Sequence, residues 1–354
     1  MKNASGGIVA IFWGPHSRHM EDLAVHIGAE PYAIDVMSFT WRKYSFLAPI
    51  KYVLQALVTW AVLIARRPSL VYVIITPTFS ALAVYLYCLV ARIPYVMDVH
   101  GHSLTSRKWA WTVPLQKFLA KRALATLVDQ RLYQETFEGA GARTVVLERS
   151  PVNINVSALK RLPATEPFSV TMVSIFAVDE PVDIVVEAAR LVPDVRFYIT
   201  GDTKRAPAAL LSSAPPNVTF TGYLYSDEYL NRLYSSNAVM TLTTEAYSLV
   251  SGGVESMALG LPTILSRQPV LLDYFTKGAV FVEHTPESIA AGVKQARDAE
   301  ERLRREISTL AAEKIDRWQS AMKDLRGRIA KVTGRQVSPP HMEMAETPTS
   351  GGKR

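Results

Sequence analysis

Apolar residues along this chain fall into short blocks separated by amphipathic stretches, and the two kinds alternate. Gly7-Ile8-Val9-Ala10-Ile11-Phe12-Trp13 is an unbroken apolar block that Gly14-Pro15 ends, the pattern of a strand covered on both faces. A helix is expected from about Ser17, with Leu23 and Ile27 facing inward. Leu70 to Ala91 is an uncharged run of 22 residues, long enough to cross a bilayer by length alone. Within it, Val71-Tyr72-Val73-Ile74-Ile75 is β-branched, Thr76-Pro77-Thr78 breaks the run, and Ser80 can cap a helix reaching Ala91. The run is therefore read as strand and helix, completed into a βαβ unit by a strand from Pro94 to Val99. Residues 124–129 and Thr144 to Leu147 add strands, with a helix to about Ala140 between them.

Ser150 to Pro167, polar and carrying Pro151, Pro163 and Pro167, reads as a linker. The pattern then restarts: a strand at Val170–Ser174, a helix from Val182 to Leu191, and a strand at Val195–Ile199 ending Thr200-Gly201-Asp202. A strand at Asn217–Leu224, a helix through Tyr229 and Leu233, and a strand at Ala238–Leu242 follow. A helix at Ser288–Ala296 and a charged helical region at 298–331, with Ile315 and Trp318 on its apolar side, close the ordered part. The expectation is an α/β chain of two doubly wound domains, 1–155 and 166–330, with a disordered Pro/Ser/Gly/Thr-rich tail at 336–354.

The segment 46–65 stands apart. It is apolar almost throughout, holds Tyr52 and Trp60, and is flanked by Lys51, Arg66 and Arg67. It fits a helix lying in a bilayer interface and equally a helix packed under the sheet. Charge bears on that choice. Residues 1–150 hold 16 Lys/Arg and 9 Asp/Glu, while the remainder holds 23 of each, so the entire +7 belongs to the first half. Arg42, Lys43, Arg107, Lys108, Lys117, Lys121 and Arg122 add to a basic, apolar-rich half that suits an anionic membrane surface. Nucleic acid is disfavoured, because no recognition motif accompanies the charge. A single cysteine, Cys88, excludes a disulfide framework and fits a reducing compartment, and no secretory signal opens the chain. A cytoplasmic protein peripheral to the inner face of a membrane is expected.

The stretch that carries candidate chemistry is Ser251 to Ser266. Ser251 reads as an N-cap, and Gly252 and Gly253 would let backbone approach a ligand. Val254, Met257 and Ala258 face inward on a short helix that Gly260 stops, and Thr263-Ile264-Leu265 begins a strand. A helix start with exposed N–H groups suits a phosphate, and Glu255 is placed to accept from sugar hydroxyls. Glu255-Ser256-Met257-Ala258-Leu259-Gly260-Leu261-Pro262-Thr263 resembles the donor-site signature Glu-Ala-Met-Ala-x-Gly-x-Pro-Val of GT-B glycosyltransferases. The resemblance spans residues 7 to about 330 and implies two Rossmann-like domains facing a central cleft. It implies that Glu255 holds a ribose, that the amides of Ser251, Gly252 and Gly253 hold a diphosphate, and that backbone at Gly222 and Tyr223 receives the base. Ser174, at the end of the first strand of the second domain, belongs to the same donor side. It also implies a return of the closing helices to the first domain, where Trp318 would make contact.

In the first domain, Asp98-Val99-His100-Gly101-His102 follows a strand end, where a crevice lies in doubly wound sheets. The resemblance gives His100 the role of meeting the donor sugar or the charge on the transferred group. Asp98 or His102 could be the acceptor's base, although an Asp at a strand end is as often a turn former. His16, Arg18 and His19 are the polar residues of the acceptor-side first loop. His16 and His19 as metal ligands lack a third partner by spacing, so both are read as solvated loop residues. No metal or cofactor is expected, the nucleotide-sugar being a substrate.

Two departures stand out. Where many retaining members carry a sugar-contacting Glu eight residues before Glu255, this chain has Tyr247, with Glu245 two residues earlier. Where those members place an Arg and a Lys after the first strand of the second domain, Ser174-Ile175-Phe176-Ala177-Val178-Asp179-Glu180 has neither. A diphosphate leaving group needs charge stabilisation, and Arg18 or His100 could supply part of it. Three readings follow. The first is a glycosyltransferase acting on a lipid-linked or polysaccharide-precursor acceptor at a membrane. The second is a non-catalytic partner subunit on the same fold, and the third is a nucleotide-sugar epimerase, which the apolar 46–65 segment disfavours.

Overall fold

The computed structural model describes residues 6–36, 47–75, 77–149, 152, 154–161 and 167–336, and the side chains of Arg18 and His102 lie outside the described residues. Arg42, Lys43, most of the linker and the tail beyond Gln336 lie outside them as well. The described chain forms two units. The first runs to Arg149 and resumes at Arg317, and the second occupies the chain between them.

Unit 1 contains β1 (Ile8–Phe12), α1 (Arg18–Ile27), β2 (Ala29–Ala33), α2 (Ala48–Arg66), β3 (Leu70–Ile74) and α3 (Thr78–Ala91). It continues with β4 (Tyr95–Val99), α4 (Gly101–Thr105), α5 (Val113–Ala120), β5 (Ala125–Val128), α6 (Gln134–Glu138) and β6 (Thr144–Val146). The strands form one parallel sheet in the order β2-β1-β3-β4-β5-β6. Alternate residues of β1 serve opposite faces. Val9 and Ile11 pack with Leu63 of α2, Val84 of α3 and Leu119 of α5, while Ile8 and Ala10 pack with Met20, Leu23 and Ile27 of α1. Burial on both faces is why these strands are continuously apolar.

Unit 2 contains β7 (Ser169–Met172), α7 (Val182–Arg190), β8 (Arg196–Thr200), α8 (Ala208–Ser212), β9 (Val218–Gly222) and α9 (Ser226–Tyr234). It continues with β10 (Ala238–Thr241), α10 (Ser251–Ala258), β11 (Thr263–Ser266), α11 (Pro269–Tyr274), β12 (Ala279–Val282) and α12 (Pro286–Asp298). Its parallel sheet runs β12-β11-β10-β7-β8-β9. The last helix, α13 (Glu300–Thr333), serves both units. Ile307 and Leu310 pack in unit 2, whereas Trp318, Met322, Leu325 and Ile329 complete the α1 side of unit 1. Trp318 meets His26 edge-on at 4.7 Å, so the expected return of the closing helix is present.

Two expected caps are not caps. Helix α3 begins at Thr78 after Pro77, and Ser80 lies inside its first turn, donating to the carbonyls of Ile74 (2.7 Å) and Pro77 (2.8 Å). Helix α10 begins at Ser251 itself, with Val250 in the extended flanking position.

Helix α2 is amphipathic in the inverted sense. Gln55, Thr59 and Leu63 are its buried residues. Gln55 Nε2 donates to the Ile34 carbonyl (2.9 Å), Thr59 Oγ1 to the Gln55 carbonyl (2.7 Å), and Trp13 Nε1 to Thr59 Oγ1 (2.9 Å). Ile50, Val53, Leu57 and Ile64, spaced to share one face, are each more than half exposed. Leu89 and Val90 of the neighbouring α3 are exposed too, as is Phe118 of α5, over whose ring the Arg122 guanidinium sits at 3.6 Å. By length and composition α2 is apolar enough to cross a membrane, yet polar side chains tie its inner side to the fold.

Candidate functional site

In each sheet the chain reverses direction of growth at one point, β1/β3 in unit 1 and β7/β10 in unit 2. Loops leaving the strands on either side of such a point diverge and leave a crevice at their carboxyl ends. The candidate residues gather at these two places.

In unit 2, the first turn of α10 follows β10. Gly252 and Gly253 are buried, which differs from the expected exposed loop. A Cβ on Gly252 would lie 2.7 Å from Thr241 Oγ1 and 2.8 Å from Val173 Cβ, so this residue must be glycine for the helix start to press onto the ends of β7 and β10. The packing sets the start of α10 against the carboxyl ends of β7 and β10, and the first N–H groups of any helix lie ahead of its i→i−4 ladder. One turn on, Glu255 Oε2 accepts from the Tyr229 hydroxyl of α9 at 2.5 Å. Burial, then the Glu255 charge, pushes the Tyr229 hydroxyl well above its ordinary range, so it stays a donor and fixes the carboxylate. Tyr229 was not legible as a site residue, since it occupies an ordinary apolar position of an amphipathic helix.

The remaining donor-side residues lie in the loops at the carboxyl ends of strands of the same sheet. Glu245 and Tyr247 are exposed in the loop between β10 and α10, with the Glu245 N–H on Thr243 Oγ1 (3.1 Å). Gly222, at φ +75°, ends β9, and its carbonyl accepts from the Gly201 N–H (3.1 Å). Beyond it Tyr223 and Tyr225 form an exposed aromatic ledge, ring centroids 5.0 Å apart. Ser174 is buried, its hydroxyl on Glu180 Oε2 (2.7 Å).

In unit 1, Asp98 and His100 stand at the end of β4. His19 is not a solvated loop residue: it lies in the first turn of α1, where Ser17 Oγ caps the helix, and its Nε2 meets Asp98 Oδ2 at 2.8 Å. The Tyr72 hydroxyl donates to the same oxygen. His100 Nε2 lies 3.7 Å from Asp98 Oδ2, and His100 Nδ1 lies 3.5 Å from Asp129 Oδ2. His16, by contrast, pairs with Glu21 at the surface (3.1 Å) and takes no part. Asp98 is only 3% exposed, and its Oδ2 is shared by Tyr72, His19 and His100.

Burial alone would raise the Asp98 carboxyl; His100, then His19 and the hydrogen bonds, outweigh it and hold it at about 2. Burial would likewise lower His100, but the Asp98 charge and the Asp129 hydrogen bond raise it to about 9. The raised value favours the protonated ring at neutral pH. His19 Nε2, Asp98 Oδ2 and His100 lie within 4.8 Å of one another, close enough to share an ion, and the fold thus provides the third partner that spacing could not show.

Residues 167–298 match the family model described as "Glycosyl transferases group 1". A comparison with the curated proteins finds no match. Among solved structures, the chain is similar to Alr3699/HepE of Anabaena, solved with UDP, at 14% identity and a TM-score of 0.67, covering 92% of this chain and 100% of that one. A glycosyltransferase from Rickettsia africae has 13% identity and a TM-score of 0.67, covering 92% and 98%. CalG4, the calicheamicin glycosyltransferase, has 13% identity and a TM-score of 0.57, covering 92% and 99%. The chain has the GT-B fold, and with its group 1 glycosyl transferase domain at residues 167–298 it is a glycosyltransferase.

Proposed function

We propose that this glycosyltransferase moves a sugar from a nucleotide-sugar to a lipid-linked or polysaccharide-precursor acceptor at the cytoplasmic surface of a membrane. The observation that carries the donor half is the β7/β10 switch point, where the α10 first turn and the Tyr229-held Glu255 stand together. In this reading Glu255 takes ribose hydroxyls and the amides of 251–253 take phosphate. The base lies by Gly222 and Tyr223, and Tyr247 or Glu245 lies near the sugar. Alr3699/HepE has been solved with UDP-glucose, which supports a nucleotide-sugar as donor.

Unit 1 is assigned the acceptor. His100 is assigned the role of a positive charge rather than a general base, in keeping with its raised pKa and its place between Asp98 and Asp129. Catalysis is proposed to need no metal, so turnover should survive EDTA. The exposed apolar stripe of α2 with the flanking Arg66, Arg67 and Arg92 supports docking on an anionic bilayer with the stripe in the interface. A second reading, a non-catalytic partner subunit, is favoured by one observation, the lack of any cation in the loop 174–180.

The test is a thermal-shift panel of UDP, GDP, ADP, dTDP and CMP on the detergent-purified chain. One nucleotide should raise the melting temperature, and Glu255→Ala should abolish the rise. A well-folded protein that responds to none would favour the partner-subunit reading.

A further inference from the structure

The loop that follows β7 is filled by one of its own side chains. Phe176 has φ +56°, the left-handed conformation that turns consecutive amide N–H groups of a loop toward one point and makes an anion-binding nest. Glu180 Oε2 occupies that point. It accepts from the N–H groups of Ile175 (3.0 Å) and Ala177 (3.0 Å) and from the Ser174 hydroxyl (2.7 Å). The Phe176 N–H donates to Ser174 Oγ (2.9 Å), which closes the ring of donors around one carboxylate.

The loop is braced on both sides. Thr243 Oγ1 donates to Asp179 Oδ2 (2.6 Å), and the Thr244 N–H donates to the Asp179 carbonyl (2.8 Å), so the loop is tied to the chain leaving β10. On the β8 side, Gly201 at φ +117° packs so closely that a Cβ would lie 2.6 Å from the Ser174 carbonyl oxygen. Of the loop's larger apolar side chains, Phe176 turns inward against Phe220 (6.2 Å between ring centroids), while Ile175 and Val178 are exposed. The nest lies at the β7/β10 switch point, on the same sheet end as the first turn of α10.

We propose that Glu180 is a built-in anion that closes the β7 loop to phosphate, leaving a donor diphosphate to be held from the α10 side alone. The inference rests on the donor-site reading of unit 2 and deepens it. Residues 174–180 lack the expected Arg and Lys because the loop's donors are already spent on an internal carboxylate. Glu180 is thus a specificity residue: it keeps the preference for a nucleoside diphosphate over the monophosphate small, and it repels free pyrophosphate.

Isothermal titration of the full chain tests this with inorganic pyrophosphate and with UDP, GDP, ADP and dTDP beside their monophosphates, in wild type, Glu180→Gln and Glu180→Ala. Glu180→Gln is isosteric and its amide oxygen can still accept from the loop N–H groups, so it preserves the fold. Glu180→Ala empties the nest. Removing one like charge within about 5 Å of a phosphate should tighten binding by about tenfold or more after screening. Glu180→Ala should show that gain for pyrophosphate and for the preferred diphosphate, with monophosphate affinity within about twofold of wild type, and Glu180→Gln should show a smaller gain of the same kind. Unchanged or weaker pyrophosphate binding in both variants would overturn the proposal. Absence of nucleotide binding in all three proteins would instead count against the donor-site reading, and the pyrophosphate arm would still decide the role of Glu180.

Discussion

Replacing Asp98 by Asn removes the charge around which the unit 1 cluster is built, and its cost can be worked from both partners. At about 1.4 kcal/mol per pH unit, moving a carboxyl from its ordinary value to about 2 corresponds to about 2 kcal/mol, and moving His100 up to about 9 corresponds to about 3 kcal/mol. These are largely one interaction seen from its two ends and are not summed. The lower figure is the better guide for Asp98→Asn, because part of the His100 displacement comes from Asp129, which the substitution leaves in place. The expected loss is about 2–3 kcal/mol, with Tyr72 and His19 left facing an amide.

The pH dependence has a definite sign. His100 has a raised pKa in the fold, so its contribution is full below its ordinary value of 6.5 and is lost as pH rises through about 9. Asp98 has a lowered pKa, so its contribution is full above 3.8 and is lost as pH falls through about 2. All six tryptophans, Trp13, Trp41, Trp60, Trp109, Trp111 and Trp318, fall in the sequence of unit 1, so tryptophan fluorescence reports on that unit selectively. Urea unfolding followed this way should show wild type about 3 kcal/mol less stable near pH 9.5 than near pH 6. Asp98→Asn should be weaker near pH 6 and lose most of the difference. A wild-type stability that is flat across that range, or an unaltered difference in Asp98→Asn, would refute the electrostatic account of the cluster.

Tyr229→Phe removes the hydrogen bond that fixes Glu255 and should weaken affinity for the preferred nucleotide by about three- to tenfold, read by titration, the net worth of one ordinary hydrogen bond. Gly252→Ala would drive a methyl into Thr241 and Val173; a destabilisation of about 1–3 kcal/mol, seen as a lower melting temperature, is expected together with weaker nucleotide binding. The pair Leu57→Glu and Ile64→Glu places charges on the outward stripe of α2; it should reduce co-sedimentation with anionic vesicles at least tenfold (roughly the loss of two partly exposed apolar side chains from the interface) while leaving nucleotide binding intact. Equal vesicle binding by wild type and the double variant would remove α2 as the docking element.

How far the sequence could be read depended on whether a residue's role lay in its own neighbourhood. Strands such as β1, β3 and β4 were legible because burial on both faces makes them continuously apolar. The edge strand β2 was not, since Ala29–Ala33 is mostly exposed and contains Pro31. In α2 the composition was plain but the orientation was hidden, because the few polar residues turn inward to satisfy Trp13 and the Ile34 carbonyl. The start of α10 and Glu255 were visible locally, whereas the packing role of Gly252 depends on Val173 and Thr241 from two other segments. His19 was dismissed for want of a partner, and its partner Asp98 is 79 positions away. The missing Arg and Lys of residues 174–180 were legible as a departure from the family pattern, whereas the part played by Glu180 depends on how the loop closes around it.

The central claim, sugar transfer from a nucleotide-sugar to a lipid-linked acceptor, is tested most directly by following labelled sugar. The purified chain would be incubated with each of several labelled nucleotide-sugars and with vesicles carrying polyprenyl phosphates and diphosphates, and the label then partitioned between water and organic solvent. The account predicts that label from one donor enters the organic phase, that Glu255→Ala abolishes the transfer, and that His100→Ala slows it severely. Label that stays in water with every donor, from a protein shown to bind both nucleotide and vesicles, would contradict it.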